Sequence, residues 1–175
     1  MTATVELSHF FDRAIRASFR DLSFRDDPVA EYLADLLTRF ARTENVYPRG
    51  RTLPRLESVV DMLLEIQNVW REDSPSFQPE HEVLVRRHIG DYAMFMTGVF
   101  RERVERVAST GFYVAEGKRA YQFVSEHERA GARREAPIFR RLADRFEAYA
   151  RALDYARHVH FVDHPQHPFF RFGFG

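Results

Sequence analysis

Four histidines lie close together near the carboxyl end of the chain and could provide ligands for a metal ion. They are His158, His160, His164 and His167. Imidazole nitrogens bind zinc and related metals, and His160 and His164 are four residues apart, so a helix would let them share one ion. Pro165 disfavours helical backbone at His164, however, and histidines are also favourable near the carbonyl groups that end a helix. The pattern predicts either a metal site built from His160, His164 and His167 or a histidine-rich helix end.

A second polar group, His88, Asp91 and Tyr92, interrupts an otherwise apolar segment. His88 and Asp91 are three residues apart, so a helix would place them on one face. Because buried polar groups need partners, one interpretation is an acid–base pair at the wall of a ligand pocket. The other is a structural hydrogen-bond network, which such residues form more often.

Basic residues are almost all arginine, 25 against the single Lys118, and the formal net charge is zero. Zero net charge argues against general electrostatic binding of nucleic acid or of anionic membranes. Arginines nevertheless gather near two predicted helix starts, where anions are favoured. The candidate anion-binding residues are Arg51, Arg55, Arg133, Arg134, Arg140 and Arg141. Nearby carboxylates such as Glu135 could neutralise these arginines instead.

The last eleven residues, 165–175, form an aromatic tail. It carries the candidate interface residues Phe169, Phe170, Phe172 and Phe174. A contiguous exposed apolar patch favours association, so the tail should cover either its own fold or another subunit. We expect a homo-oligomer, in the simplest case a dimer with twofold symmetry.

No catalytic motif fits the sequence in both spacing and context. Gly111 and Gly117 are separated by five residues, and Arg119 occupies the position at which a phosphate-binding loop needs Ser or Thr. Glu6-x-x-His9 is a single copy of a pattern that di-iron helical bundles need twice. The chain has no cysteine, which excludes thiolate catalysis and cysteine-ligated metals. No cofactor is implied, and we expect a protein that acts without catalysis.

Apolar periodicity predicts six helices and no strand. Ser8 is the expected N-cap of the first helix, and Asp26, Asp27 and Pro28 give a strong start signal for the second. The other helices are predicted to begin near residues 54, 80, 112 and 137. The longest, at about residues 80–108, is apolar on nearly every side between residues 89 and 100, which is typical of a helix surrounded by others. The fold class predicted is all-α: a single helical bundle of about six helices around this central apolar helix, forming one domain over residues 1–175.

Three functional hypotheses follow from these patterns. The leading one is a helical protein that acts through self-association or partner binding. The alternative is a bundle that binds a small molecule or metal, with or without catalysis, in a pocket near His88 and Asp91. The third is binding of nucleic acid or another anion by the arginine clusters. The N-terminus lacks the pattern of a secretion signal and no apolar stretch is long enough to span a bilayer, so we expect a cytoplasmic protein.

Overall fold

The computed structural model describes residues 2–46, 79–107 and 109–161, and all regular structure in these ranges is helical. Seven α-helices are present in the described residues. They are α1 (Thr2–Asp21), α2 (Asp27–Val46), α3 (Pro79–Val99), α4 (Arg101–Val107), α5 (Thr110–Ala130), α6 (Ala136–Asp144) and α7 (Phe146–Val159). The all-α helical-bundle class predicted from the sequence is confirmed. None of these helices combines the length and the apolar character that crossing a membrane requires.

The chain divides into two compact units. In the described residues, the first unit contains α1, α2, residues 95–99 of α3, α4, and α7 from residue 147. The second contains the rest of α3 together with α5 and α6. The interpretation of the chain as one domain remains a prediction.

Aromatic side chains from α1 and α7 fill much of the core of the first unit. Phe11, Ile15 and Phe19, which lie four residues apart, form the buried face of α1, and α1 packs along α2. The Phe19 ring stacks on that of Tyr149 with centroids 5.8 Å apart. Burial of large aromatic faces is the main stabilising contribution in such helix interfaces.

The second unit is organised around Tyr121 of α5, which is fully buried. Its ring lies 6.0 Å from that of Phe139 and 6.1 Å from that of Phe146, measured between centroids. Gly90 allows α3 to lie close to the Tyr121 ring of α5, since a Cβ atom at Gly90 would lie 2.7 Å from two carbon atoms of that ring. Tyr113 and Val124 of α5 are buried as well.

Several helix boundaries differ from the predicted ones. The first helix begins at Thr2, so Ser8 is an exposed residue inside α1 and not its N-cap. No helix-breaking residue precedes Ser8, and the buried side chain of Leu7 extends the apolar face by a turn. The N-cap of α2 is as predicted, because Asp26 Oδ1 accepts a hydrogen bond from the Val29 amide at 3.2 Å.

The two longest predicted helices are each interrupted once. The helix predicted over residues 80–108 ends at Val99 and a new helix begins at Arg101, although the Phe100 amide still donates to the Met96 carbonyl at 3.1 Å. Between residues 89 and 99 every residue is buried except Tyr92 and Met96, which are half-buried, so the predicted apolar character holds. The sixth predicted helix is divided at Arg145. The helix predicted near residue 54 lies outside the described residues.

Candidate functional site

Two polar side chains of the first unit converge on one carboxylate oxygen of a third. Asp21 Oδ2 accepts a hydrogen bond from the Tyr155 hydroxyl at 3.0 Å and lies 2.9 Å from His160 Nε2. Asp21 is the last residue of α1, Tyr155 lies in α7, and His160 follows the end of α7. The Tyr155 and His160 rings meet edge to face with centroids 5.9 Å apart. We refer to these three residues as the Asp21 cluster.

The electrostatics of the Asp21 cluster favour an ionised carboxylate. The hydrogen bond with His160, and then that with Tyr155, hold the pKa of Asp21 below its usual value of 3.8. The same contact raises the pKa of Tyr155 above its usual value of 10.0, because the Asp21 carboxylate disfavours a phenolate beside it. An ionised carboxylate can only accept hydrogen bonds, so the facing Nε2 atom of His160 carries a hydrogen.

His160 also lines a groove of about 420 Å³ along α1, which we call the α1 groove. Its other lining residues are Phe10, Arg13, Ala14, Arg16, Ala17 and Arg20. The three arginines are three and four residues apart, so successive turns of α1 present them on one side of the helix. The α1 groove therefore has an alanine and aromatic floor with a basic rim.

The arginines of the α1 groove differ in their ion pairs. Arg16 Nε lies 3.0 Å and 3.1 Å from the two carboxylate oxygens of Asp12, and an Arg16 terminal nitrogen lies 3.6 Å from Asp27. Within the described ranges, no carboxylate comes within ion-pair distance of Arg13 or Arg20. Among the described residues, the donors of these two guanidinium groups have no hydrogen-bond partner, although the charge of Arg20 also acts on the neighbouring Asp21 carboxylate. Guanidinium groups suit phosphate and carboxylate oxygens.

The Tyr155 side of the Asp21 cluster lines a second groove of the first unit, of about 460 Å³. Leu22, Phe24 and Ala148 give it apolar surface, and charged residues such as Arg101 and Arg151 lie around them. Asp154 and His158 lie in the same lining, and His158 Nδ1 is 2.8 Å from the Asp154 carbonyl. Since both positively and negatively charged residues line this groove, its charge does not favour either anionic or cationic ligands.

The predicted pocket residues His88, Asp91 and Tyr92 are dispersed around α3. The His88 side chain is exposed, Asp91 is buried, and Tyr92 is half-buried with its ring 6.4 Å from that of Tyr113. Asp91 Oδ1 accepts a hydrogen bond of 2.8 Å from the hydroxyl of Tyr121. This contact is of the kind that the structural hydrogen-bond interpretation describes, with a tyrosine as the partner. The ligand pocket remains a prediction.

The predicted metal site falls partly outside the described residues, which include His160 but neither His164 nor His167. His160 faces the Asp21 carboxylate, and His158 faces the carbonyl of Asp154 near the end of α7. The arrangement of these two residues fits the histidine-rich helix end. No group of three or more potential metal ligands forms within the part of the chain that is described.

Two of the four arginines around the start of α6 are opposed by carboxylates. Arg133 lies 3.3 Å from Glu128 and 3.8 Å from Glu80, and Arg140 lies 3.7 Å from Asp144. Arg134 is exposed and Arg141 is half-buried. Arg140 also lines a groove of about 420 Å³ between α5 and α6, with carboxylates in the same lining. Arg51 and Arg55 lie outside the described residues, as do Phe169, Phe170, Phe172 and Phe174.

Sequence reasoning missed the α1 groove, although a signal was present. The spacing of Arg13, Arg16 and Arg20 along the predicted first helix already placed them on one side. The contact between Asp21 and His160 joins residues 139 positions apart, and no local pattern reveals it.

Comparison of the chain with protein-family models, with curated proteins and with solved structures gave no match. The geometry of the α1 groove and of the Asp21 cluster is therefore the basis for a functional proposal.

Proposed function

We propose that this protein binds a small anionic ligand in the α1 groove. The observation that carries the proposal is that Arg13 and Arg20, both without a carboxylate partner in the described residues, line one groove with His160. Guanidinium groups bind phosphate and carboxylate oxygens through parallel charge-assisted hydrogen bonds. The neutral net charge of the chain does not oppose this, since a small anion responds to the local field.

The size and exposure of the α1 groove set the kind of ligand and its affinity. A volume of about 420 Å³ lies within the range of small-molecule sites. Arg13 and Arg20 are exposed, so their charges act through water and are screened by salt. We therefore expect moderate affinity that falls as the ionic strength rises.

Titration calorimetry with inorganic phosphate at low ionic strength tests this proposal. Replacing two charge-assisted contacts in R13Q/R20Q should weaken binding by about tenfold or more, since about 1.4 kcal/mol corresponds to a factor of ten. The matched control is R39Q/R119Q, which removes two arginines that already pair with Asp35 and Glu116. Equal affinity in the two double variants would contradict the proposal, because they change the net charge identically.

Self-association through the aromatic tail is a second proposal. It is supported by the four closely spaced phenylalanines of residues 165–175, whose exposure would favour association. A homodimer and a cytoplasmic location are parts of this proposal. Native mass spectrometry of the full chain checks the oligomeric state.

Nucleic-acid binding by the arginine clusters is a weaker proposal, because the carboxylates beside Arg133 and Arg140 reduce the local positive charge.

A further inference from the structure

We infer that the ligand of the α1 groove is an amphiphilic organic anion, in which a phosphate or carboxylate group binds beside Arg13 and carries an aryl or short alkyl group that lies on Ala14 and Ala17. This inference rests on the proposed function and adds the apolar part of the ligand and its orientation. It is carried by the apolar floor of the α1 groove, by the volume of the groove, and by the position of Asp21 at one end of it.

The floor of the α1 groove is apolar and preformed. Phe10, Ala14 and Ala17 are four and three residues apart, so they lie along one side of α1. The Phe10 ring packs against those of Phe11 and Phe161, whose centroids lie 5.5 Å and 5.8 Å away. Water on such a surface has few hydrogen-bond partners, so an apolar group that displaces it improves binding.

The α1 groove is larger than one anionic group requires. Its volume of about 420 Å³ corresponds to on the order of ten water molecules, at about 30 Å³ for each. The two alanines contribute to this volume, because a side chain of one carbon leaves the space above the floor open. Inorganic phosphate alone would leave most of the groove to water, whereas a phosphate ester with a hydrocarbon group would fill more of it.

The carboxylate of Asp21 makes one end of the α1 groove unfavourable for the anionic group. Asp21 lies four residues beyond Ala17 on the same side of α1 and faces His160, which lines the groove. The charge of Arg20, at this end of the rim, acts on Asp21. An anion placed here would be repelled by Asp21 and would compete with it for Arg20.

The Arg13 end of the α1 groove is more favourable for an anion. Asp12 is next to Arg13 in the sequence, but its two carboxylate oxygens lie 3.0 Å and 3.1 Å from Arg16 Nε. No carboxylate of the described ranges comes within ion-pair distance of Arg13 itself. An anionic group beside Arg13 places the group that it carries over Ala14 and Ala17, which are one and four residues further along α1.

Calorimetry with phenyl phosphate and methyl phosphate tests the inference, because the two monoesters carry nearly the same charge at about pH 7.5 and differ in their apolar part. Phenyl phosphate should bind about five- to thirtyfold more tightly, the gain expected when part of an aromatic ring leaves water. Benzoate should likewise bind more tightly than acetate. In a series of alkyl monoesters the gain should level off with chain length, because the floor from Phe10 to Ala17 spans about 10 Å.

Ala17→Leu should remove the preference for phenyl phosphate, because the larger side chain occupies the space above the floor. Its affinity for methyl phosphate should change by less than about twofold, which also shows that the variant folds. The matched control is Ala148→Leu, the same change at another half-buried alanine, which lines the second groove of the first unit. This control should keep the wild-type preference. In the wild-type protein, NOEs should connect the phenyl protons of the ligand with the methyl groups of Ala14 and Ala17.

The outcomes separate this inference from the proposed function. Equal affinities for methyl and phenyl phosphate, both dependent on Arg13 and Arg20, would overturn the apolar part of the ligand and leave the proposed anion site intact. A preference that survives in Ala17→Leu but is lost in Ala148→Leu would place the ring in the second groove and overturn the inference as well. A gain that still rises at decyl phosphate would indicate a lipid surface and overturn a small ligand. Absence of binding by both monoesters and by inorganic phosphate at low ionic strength would contradict the proposed function itself.

Discussion

Single side chains of this protein take their roles from partners far away in the sequence. Asp91, in the middle of a predicted apolar helix, is buried against the hydroxyl of Tyr121. Asp21, at an exposed helix end, is tied to Tyr155 and His160. The first contact supports the packing of α3 on α5, and the second orients an imidazole at a basic groove. Burial thus distinguishes a structural carboxylate from one that is available to a site.

Gly90→Ala should destabilise the second unit. The new Cβ would lie 2.7 Å from carbon atoms of the fully buried Tyr121 ring, which can move only by disturbing its hydrogen bond to Asp91. We expect a loss of about 1 to 3 kcal/mol in the free energy of unfolding, the usual effect of overpacking. Gly111→Ala is the matched control, because its Cβ would meet only Ser109 Oγ, at 3.6 Å. Denaturant unfolding that gives equal stability for the two variants would argue against this packing.

Acid should weaken the contribution of Asp21 to folding. Its pKa is lowered in the folded protein, so its contribution is fully present above the usual value of 3.8 and is lost as the pH falls through the folded-state pKa. The stability difference between wild type and Asp21→Asn should therefore be constant near neutral pH and shrink below about pH 4. Urea unfolding of both proteins over this range measures it. A difference that stays constant into strong acid would show that His160 and Tyr155 do not hold the carboxylate.

At the scale of helices, the sequence predicts type and buried face better than ends. The faces of α1, α5 and α7 follow from apolar residues three and four apart, because burial of a helix face imposes that spacing. The division at Arg145 involves neither proline nor glycine, so it leaves no local signal. Asp26 was identifiable as a cap because an acidic residue and then proline open α2. Ser8 is a residue type that is common at N-caps, but it lies inside α1, which begins at Thr2.

The two serines give a matched test of these helix ends. Ser109 caps α5 by accepting a hydrogen bond from the Phe112 amide at 3.4 Å, so Ser109→Ala should cost about 0.5 to 1 kcal/mol. Ser8 is exposed inside α1, where alanine is the better helix former, so Ser8→Ala should be neutral or stabilising by a few tenths of a kcal/mol. Chemical denaturation compares them. If Ser8→Ala lowered the free energy of unfolding more than Ser109→Ala, α1 would begin at Ser8, as predicted from the sequence.

The candidate site was predictable only in part. The arginines of the α1 groove belong to one helix, so their spacing could have been read from the sequence. Arg133 and Arg140, which the sequence suggested, are opposed by Glu128 and Asp144. Whether an arginine is available to a ligand depends on such partners, and Glu80 reaches Arg133 from another helix. The pairs of Arg133 with Glu128 and of Arg140 with Asp144 join residues five and four positions apart, so their spacing could have been read from the sequence. The approach of Glu80 to Arg133 joins distant residues and has no local sequence signature.

At the scale of the whole molecule, zero net charge and a local basic groove are compatible. Among the described residues, most carboxylates that oppose arginines do so within one helix, as between Asp35 and Arg39, and these pairs leave little long-range field. In the part of the chain that the structure describes, Arg13 and Arg20 of the α1 groove lie outside such pairs. The molecule should therefore discriminate against extended polyanions while still binding a small anion, and an increase in salt should weaken the binding.

The oligomeric state is predicted to depend on the aromatic tail. Deletion of residues 168–175 removes Phe169, Phe170, Phe172 and Phe174 and should lower the native mass to that of the monomer. Native mass spectrometry of the truncated and full chains measures this directly. An oligomer that survives the deletion would assign association to another surface.

Mapping of phosphate binding by backbone and arginine side-chain NMR tests the central claim most directly, because it locates the ligand. We expect saturable shifts concentrated at Arg13, Ala17, Arg20 and His160 that disappear in the R13Q/R20Q variant. Shifts that fail to saturate, or that concentrate on Arg129 and Arg140 in the groove between α5 and α6, would contradict an anion site in the α1 groove.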